Sequence, residues 1–114
     1  MDREPDDRRD AVMELDPETW ETEFSGEIWT WRGPAPHHFM TVPAEASAQL
    51  RALSSVVTYG WGMIPVRAWT GASAWETSLF AKDGLYVLPL KAAVRREEGL
   101  GPGDTIRVRM TIRT

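Results

Sequence analysis

The chain has 114 residues, room for one domain, and its 42% hydrophobic content with six Trp is enough for a compact core of modest size. It has no cysteine, which excludes disulfides, thiolate metal sites and cysteine nucleophiles. The net charge of −4 hides a division: residues 1–27 carry eleven acidic and three basic residues, a net of −8, and residues 28–114 carry six acidic and ten basic, a net of +4.

Residues 1–19 read as an acidic leader. Val12, Met13 and Leu15 are its only central apolar cluster, too little burial to offset the entropy of ordering, so a mostly disordered segment is expected, with a helical turn around Ala11–Leu15. Such a leader either solvates the terminus or folds back to screen a basic face. Residues 20–114 are expected to form a single β-barrel domain. In Glu21–Trp31 the residues Phe24, Gly26 and Ile28 share one face and Glu23, Ser25 and Glu27 the other. Trp29 and Trp31 continue the outward face, which predicts a bulge or a strand covered on both sides.

Arg32–Pro36 reads as a turn and His37–Val42 as a strand stopped by Pro43. Ala44–Leu53 has apolar residues at helical spacing (Ala46, Leu50, Leu53). Val56–Trp61 and Met63–Trp69 are predicted strands hinged at Gly60 and Gly62, and Gly71 turns the chain into Ala74–Phe80. Asp83-Gly84 between apolar runs signals a type I′ hairpin turn. Leu85–Leu88 is a strand, Pro89 a punctuation, and Leu90–Glu98 a second short helix closed by Gly99 and Leu100. Gly101-Pro102-Gly103-Asp104 is a tight turn. The last strand, Thr105–Arg113, alternates Ile106, Val108, Met110 and Ile112 inward with Arg107, Arg109 and Arg113 outward.

Two segments share one grammar. Phe39-Met40-Thr41-Val42-Pro43-Ala44-Glu45-Ala46 and Tyr86-Val87-Leu88-Pro89-Leu90-Lys91-Ala92-Ala93 each give a strand, a proline and a short helix. Setting Pro43 on Pro89 hints at a pseudo-two-fold barrel. The second segment, with Gly99-Leu100-Gly101-Pro102-Gly103-Asp104 and Ile106-Arg107-Val108, resembles the strand–proline–helix–turn–strand unit of AbrB-type swapped-hairpin domains. Taken with Gly60–Val66, Trp75-Glu76-Thr77-Ser78-Leu79-Phe80 and Phe39–Pro43 in this order, the chain more closely resembles the bacterial "domain of unknown function nineteen-oh-five" family, from about Phe24 to Ile112. That resemblance implies a mainly β protein, a double-split, AbrB-like β-barrel of about seven strands with two short helices. One chain would supply both halves that AbrB-type proteins assemble from two subunits, making it a monomer or at most a weak homodimer. It implies no established reaction or catalytic residue. Some relatives carry the domain beside a second one, of a bacteriocin-protection group, which implies a structural or partner-interaction role as one alternative.

The start, Met1-Asp2-Arg3-Glu4-Pro5, lacks the apolar stretch of a signal peptide, and no run of about 18 apolar residues offers a membrane span, so a cytoplasmic protein is expected. His37 and His38 are adjacent, and on a strand they face opposite ways, so no metal site is expected. Ser78 lacks the surroundings of a nucleophile elbow, and the glycines of Gly99–Asp104 lack the Lys-Ser/Thr ending of a phosphate loop. No catalytic residue and no cofactor is therefore nominated. Trp61, Trp69, Trp75, Tyr59 and Tyr86 are many aromatics for one small barrel, and rigid aromatic walls with a few donors suit an organic anion. The reading is a non-enzymatic binding module for a small anionic or peptide-like ligand, held by Trp75, Thr77, Ser78, Lys91, Arg95 and Arg67. A DNA-binding or regulatory role through Arg107, Arg109 and Arg113 is the competing class, with a net of only +4 on the body as a poor footprint for nucleic acid.

Overall fold

The computed structural model describes residues 15–33, 37–59 and 62–113. Strand β1 (Glu21–Glu27) and strand β2 (Trp29–Trp31) form one run broken only at Ile28. The two-residue alternation passes through Ile28 without a bulge, one of the two alternatives the sequence offered: Phe24 and Ile28 are buried, while Glu23, Ser25 and Glu27 are exposed. What changes at Ile28 is the partner. Ile28 N–H donates to the Asp104 carbonyl and its own carbonyl accepts from Gly103 N–H, both at 2.9 Å. Before it, β1 pairs antiparallel with β7 (Thr105–Ile112); beyond it, β2 pairs with β3 (His37–Thr41).

The remaining strands are β4 (Ile64–Thr70), β5 (Ser73–Lys82) and β6 (Leu85–Leu90). All seven belong to one curled antiparallel sheet in the order β1-β7-β4-β5-β6-β3-β2. Strand β5 also changes partner midway: Ser73 to Leu79 pair with β4, and Phe80 to Lys82 pair with β6. The two repeated segments lie side by side. In the β3–β6 ladder Thr41 stands opposite Val87, and aligning Pro43 with Pro89 makes these two positions equivalents of each other. The two segments are therefore paired symmetrically about Thr41 and Val87 within that ladder.

Helix α1 (Ala44–Val57) is longer than the sequence suggested and absorbs Val56 and Val57, so the strand expected over Val56–Trp61 does not start at Val56. The apolar spacing Ala46, Leu50, Leu53 runs on to Val57, which packs on the core, and that burial overrides the β preference of two valines. Tyr59 makes an isolated bridge with Met63; Gly60 and Trp61 lie outside the described residues. The second helix, α2 (Ala92–Glu98), starts later than expected because β6 runs through Pro89 to Leu90. A proline fits there because β5 stops pairing with β6 at Val87, leaving that side of the strand without a ladder to satisfy. Lys91 is consequently the N-cap, not a residue on the helix face.

The sharp features hold as expected. Asp83 and Gly84 have φ of 55° and 82°, the two positive values of a type I′ turn. Leu100 N–H reaches back to the Arg95 carbonyl at 2.9 Å to close α2. On β7, Val108, Met110 and Ile112 are buried and Arg107 and Arg113 are exposed. The core is aliphatic, built on Met40, Leu50, Ile64, Val66, Leu79, Leu88, Val108 and Met110. The buried Ser47 hydroxyl donates to the Val42 carbonyl and accepts from Tyr86 N–H, tying α1 to β6 with no orphaned polar group. Of the tryptophans described, Trp20 and Trp75 are buried, whereas Trp29, Trp31 and Trp69 stand on the outside of the sheet, so tryptophan does not fill the interior as the sequence suggested.

At the N-terminal side, residues 1–14, including most of the proposed leader and its helical turn, lie outside the described residues. Asp16 Oδ1 accepts from Glu18 N–H at 2.9 Å in a turn that leads into Trp20, and Leu15 packs partly on the core. Among the described residues no helix is long and apolar enough to cross a membrane.

Candidate functional site

The six residues nominated as a ligand site fall on two faces and one helix end. Trp75 is buried on the inward face of β5, where its Nε1–H donates to the Pro89 carbonyl at 2.9 Å. Thr77 shares that face, opposite Val66, and is half-buried. Ser78 points the other way, opposite Pro65, and its hydroxyl bonds to that of Tyr59. Arg67, also outward, is held by Glu76. Lys91 is exposed at the N-cap of α2, and Arg95 lies one turn on, half-buried. The structure gathers only the cations of this set that surround Glu76. The Arg67 hydrogen bond holds the Glu76 carboxyl below the usual carboxylate range, and the charges of Arg113 and Lys91 reinforce the effect.

The arginine stripe of β7 is equally committed. Arg107 pairs with Glu23 at 3.3 Å, Arg109 with Glu21 at 3.6 Å, and Arg113 with Glu76 at 3.6 Å. The Arg109 guanidinium also lies 3.9 Å from the centre of the Trp69 ring. The Arg107 and Arg109 ion pairs follow from the β1–β7 ladder, which sets a strand with glutamates at its outward positions beside one with arginines at its own; Arg113 and the Arg109–Trp69 contact look to the other side, toward β5 and β4. The stripe is thus a neutralised grid and not a bare cationic surface.

The outward face of the other half of the sheet is different. Trp29 is paired with Phe39 and Trp31 with His37 across the β2–β3 ladder, so all four side chains project from one side. Trp29 and Phe39 rings are 5.0 Å apart, and Phe39 meets Phe80 of β5 edge-on at 5.6 Å. Trp29 Nε1–H donates to Thr41 Oγ1 at 3.0 Å, which fixes the indole. Two hollows adjoin there. One, of about 410 Å³, is lined by Trp29, Thr41, Lys82, Asp83, Leu85 and Val87. The other, of about 270 Å³, is lined by Trp29, Trp31, His37, Phe39, Phe80 and Lys82. Trp29 and Lys82 belong to both. Lys82 Nζ sits 3.1 Å from Asp83 Oδ2 on the rim, so the lip of the two hollows carries both signs of charge.

None of these lining residues was among the six nominated from the sequence. The signal that could have found them was Trp29 and Trp31 continuing an outward face, where a solvated strand carries polar residues. Sequence proximity instead drew attention to Trp69 and Trp75, which alternation sends to opposite sides.

His37 and His38 do face opposite ways. His37 joins the aromatic face, 6.2 Å from the Phe39 ring. His38 turns inward with Thr30, its direct partner on β2. Thr30 Oγ1, His38 Nδ1 and Arg95 Nε are each closed off from solvent without a hydrogen-bond partner among the described residues. A polar atom left so costs roughly 1–3 kcal/mol. Burial holds the His38 imidazole below its ordinary proton affinity, and the charges of Arg95 and His37 lower it further.

Among the described residues no three His, Cys, Asp or Glu side chains come together as metal ligands. No curated protein matches the chain. The family described as Domain of unknown function (DUF1905) matches residues 24–110, from the middle of β1 to the inward-facing Met110 of β7, and the protein belongs to that family.

Proposed function

We propose that the protein is a non-enzymatic binding module that takes a short, extended, peptide-like segment across the outward face of β2, β3, β6 and the end of β5. The observation that carries this reading is the pair of apolar hollows meeting at Trp29. A fixed indole between two hollows suits a chain that sets one apolar side chain on either side of it. Aromatic-lined grooves take proline-rich segments in this manner, because such segments are already extended and lose little entropy on docking. The mixed-charge rim of Lys82 and Asp83 favours the polar backbone of a peptide over a bare anion. A small anionic ligand held by Arg67, Trp75, Thr77, Ser78, Lys91 and Arg95 is less favoured, since Trp75 is interior and Arg67 already has its carboxylate. DNA binding through Arg107, Arg109 and Arg113 has the same weakness, their glutamate partners.

The two partner-changing strands and the Thr41–Val87 pair favour the double-split, AbrB-like barrel, closed within one chain and so monomeric. The test of function is a titration of the full chain with a proline-rich decapeptide and, separately, with benzoate, read by the indole N–H resonances of Trp29 and Trp31. The peptide should shift both, and Trp31→Ala should weaken it by about tenfold or more, as loss of an aromatic anchor does. A response to benzoate at the Trp75 indole N–H, with Trp29 and Trp31 unmoved, would favour the small-anion reading. Unmoved indoles with both probes would remove the face as a site.

A further inference from the structure

We infer that residues 10–14 of this chain lie along the open edge of β1 as an added, antiparallel strand. Among the described strands β1 ends the sheet order, with β7 on one flank and none on the other. Three bonds fix where its backbone groups point. Ile28, just past β1, gives its N–H to the Asp104 carbonyl just before β7. Antiparallel ladders alternate residue by residue, so Thr22, Phe24 and Gly26 also turn their N–H and C=O toward β7. The far side of β7 agrees: Arg113 N–H bonds to the Pro65 carbonyl and the Arg107 carbonyl accepts from Thr70 Oγ1, so its odd-numbered residues look to β4 and its even ones to β1. The N–H and C=O of Glu21, Glu23 and Ser25 therefore point away from the sheet. A row of this kind is a template for another strand.

Beside that row there is space. A hollow of about 350 Å³ is lined by residues 21–24 on one side and by Pro43, Glu45, Ala46 and Gln49, at the start of α1, on the other. Gln49 Oε1 accepts from Trp20 Nε1–H at 2.9 Å and ties the helix to the residue before β1. The chain itself leads the occupant there. The Asp16 carbonyl accepts from Thr19 N–H at 3.1 Å and from Trp20 N–H at 2.8 Å, in a turn whose second position is Pro17. This turn reverses the chain directly before β1, and Leu15 at its other end packs partly on the core. Residues preceding Leu15 thus set out from the N-terminal end of β1, where β7 holds one flank and the hollow borders the other. Residues 21–24 span only roughly 13 Å at strand spacing, well within the reach of the segment. Val12 and Met13 are adjacent, and neighbours on a strand face opposite ways, so either register turns one of them into the hollow. Arg8 and Arg9 come just before them, and the hollow carries Glu21, Glu23 and Glu45. So short a tether gives an effective concentration on the order of millimolar, so a few such contacts suffice.

The measurement is amide hydrogen exchange by NMR, on the full chain and on the full-length double variant Val12→Pro, Met13→Pro. Proline has no N–H to donate, and changing both positions removes a donor in either register. The Glu21 and Glu23 amides should exchange at least about tenfold more slowly in the unaltered chain than in the variant. Those of Thr22 and Phe24, bonded to β7, should exchange alike in both. Nuclear Overhauser contacts between residues 10–14 and residues 21–24 should accompany the protection. An unchanged Trp75 indole N–H resonance shows that the variant keeps its interior; if the variant fails to fold, those contacts in the unaltered chain decide alone. Equal exchange of Glu21 and Glu23 in the two proteins would overturn the inference. So would protection that grows with protein concentration, because the added strand would then come from a second copy. The edge of β1 is a different surface from the Trp29 face, so the peptide titration and this result stand or fall separately.

Discussion

Across β1, β7 and β4 the outward positions carry Glu21, Glu23, Arg67, Arg107, Arg109 and Arg113, all of them in ion pairs with one another or with Glu76 of β5. Across β2, β3 and the end of β5 the outward positions carry Trp29, Trp31, Phe39 and Phe80. The inward faces of both halves are alike, an aliphatic core with Met40, Leu88, Val66 and Met110 fully buried. Folding requires that inner sameness, but it does not require the outer difference. Single exposed apolar residues are ordinary on a soluble protein, whereas a contiguous aromatic face marks a place of contact.

The largest effect should come from breaking what the two halves share. Trp75→Ala removes an indole from the common interior along with its hydrogen bond to Pro89, and should lower stability by about 3–5 kcal/mol in urea unfolding. Trp31→Ala sharpens the contrast. That side chain is 51% exposed, and its loss should change stability by no more than about 0.5 kcal/mol. Equal costs at the two positions would mean that the aromatic face is part of the core.

The hairpin turns of the two halves give the next comparison. Gly71, between β4 and β5, has φ of 55°, and a Cβ there would collide with the Glu98 carboxylate. That carboxylate accepts from Ala72 N–H and Ser73 Oγ, so it cannot withdraw without losing both bonds. Gly84, in the turn beside the aromatic face, has φ of 82° but nothing within 4 Å of a new Cβ. Gly84→Ala should cost only the backbone strain, about 1 kcal/mol, and Gly71→Ala about 2–3 kcal/mol by thermal or urea unfolding. Similar values would show that Glu98 is not the clamp on that turn.

The same contrast explains what could be read from the residues beforehand. Period-two alternation in Phe24–Ile28 and Ile106–Ile112 and the Asp83-Gly84 turn are local, and each appears in the structure as expected; of the repeat, the first copy ends its strand before Pro43 while the second runs its strand on through Pro89. Helix α1 was underestimated because Val56 and Val57 favour strands in isolation, and only packing keeps Val57 helical. The aromatic face was missed for a different reason. Trp29, Phe39 and Phe80 are far apart in sequence and meet only through ladder register, while Trp69 and Trp75 are close in sequence and separated by alternation. Likewise the arginines of β7 were visible as a stripe, but their partners arrive from distant parts of the chain, Glu21 and Glu23 from β1 and Glu76 from β5.

The ion-paired grid should yield the smallest effect. Arg109 and Glu21 are 3.6 Å apart with side chains 41% and 51% exposed, so water screens their attraction and side-chain entropy opposes it. A double-mutant cycle with Arg109→Ala and Glu21→Ala should give a coupling of about 0.2–1 kcal/mol at low salt. In 1 M NaCl, where the screening length falls to about 3 Å, most of it should vanish. The cycle of Arg109→Ala with Trp69→Ala should behave otherwise, because the guanidinium lies against the ring face and part of that contact is apolar burial; its coupling should largely survive the salt. If instead the Arg109–Glu21 coupling exceeded about 2 kcal/mol and ignored salt, the charged half would be a structural lattice in its own right. The difference between the two outer faces would then lie in how each is fastened and not in which one is open to a ligand.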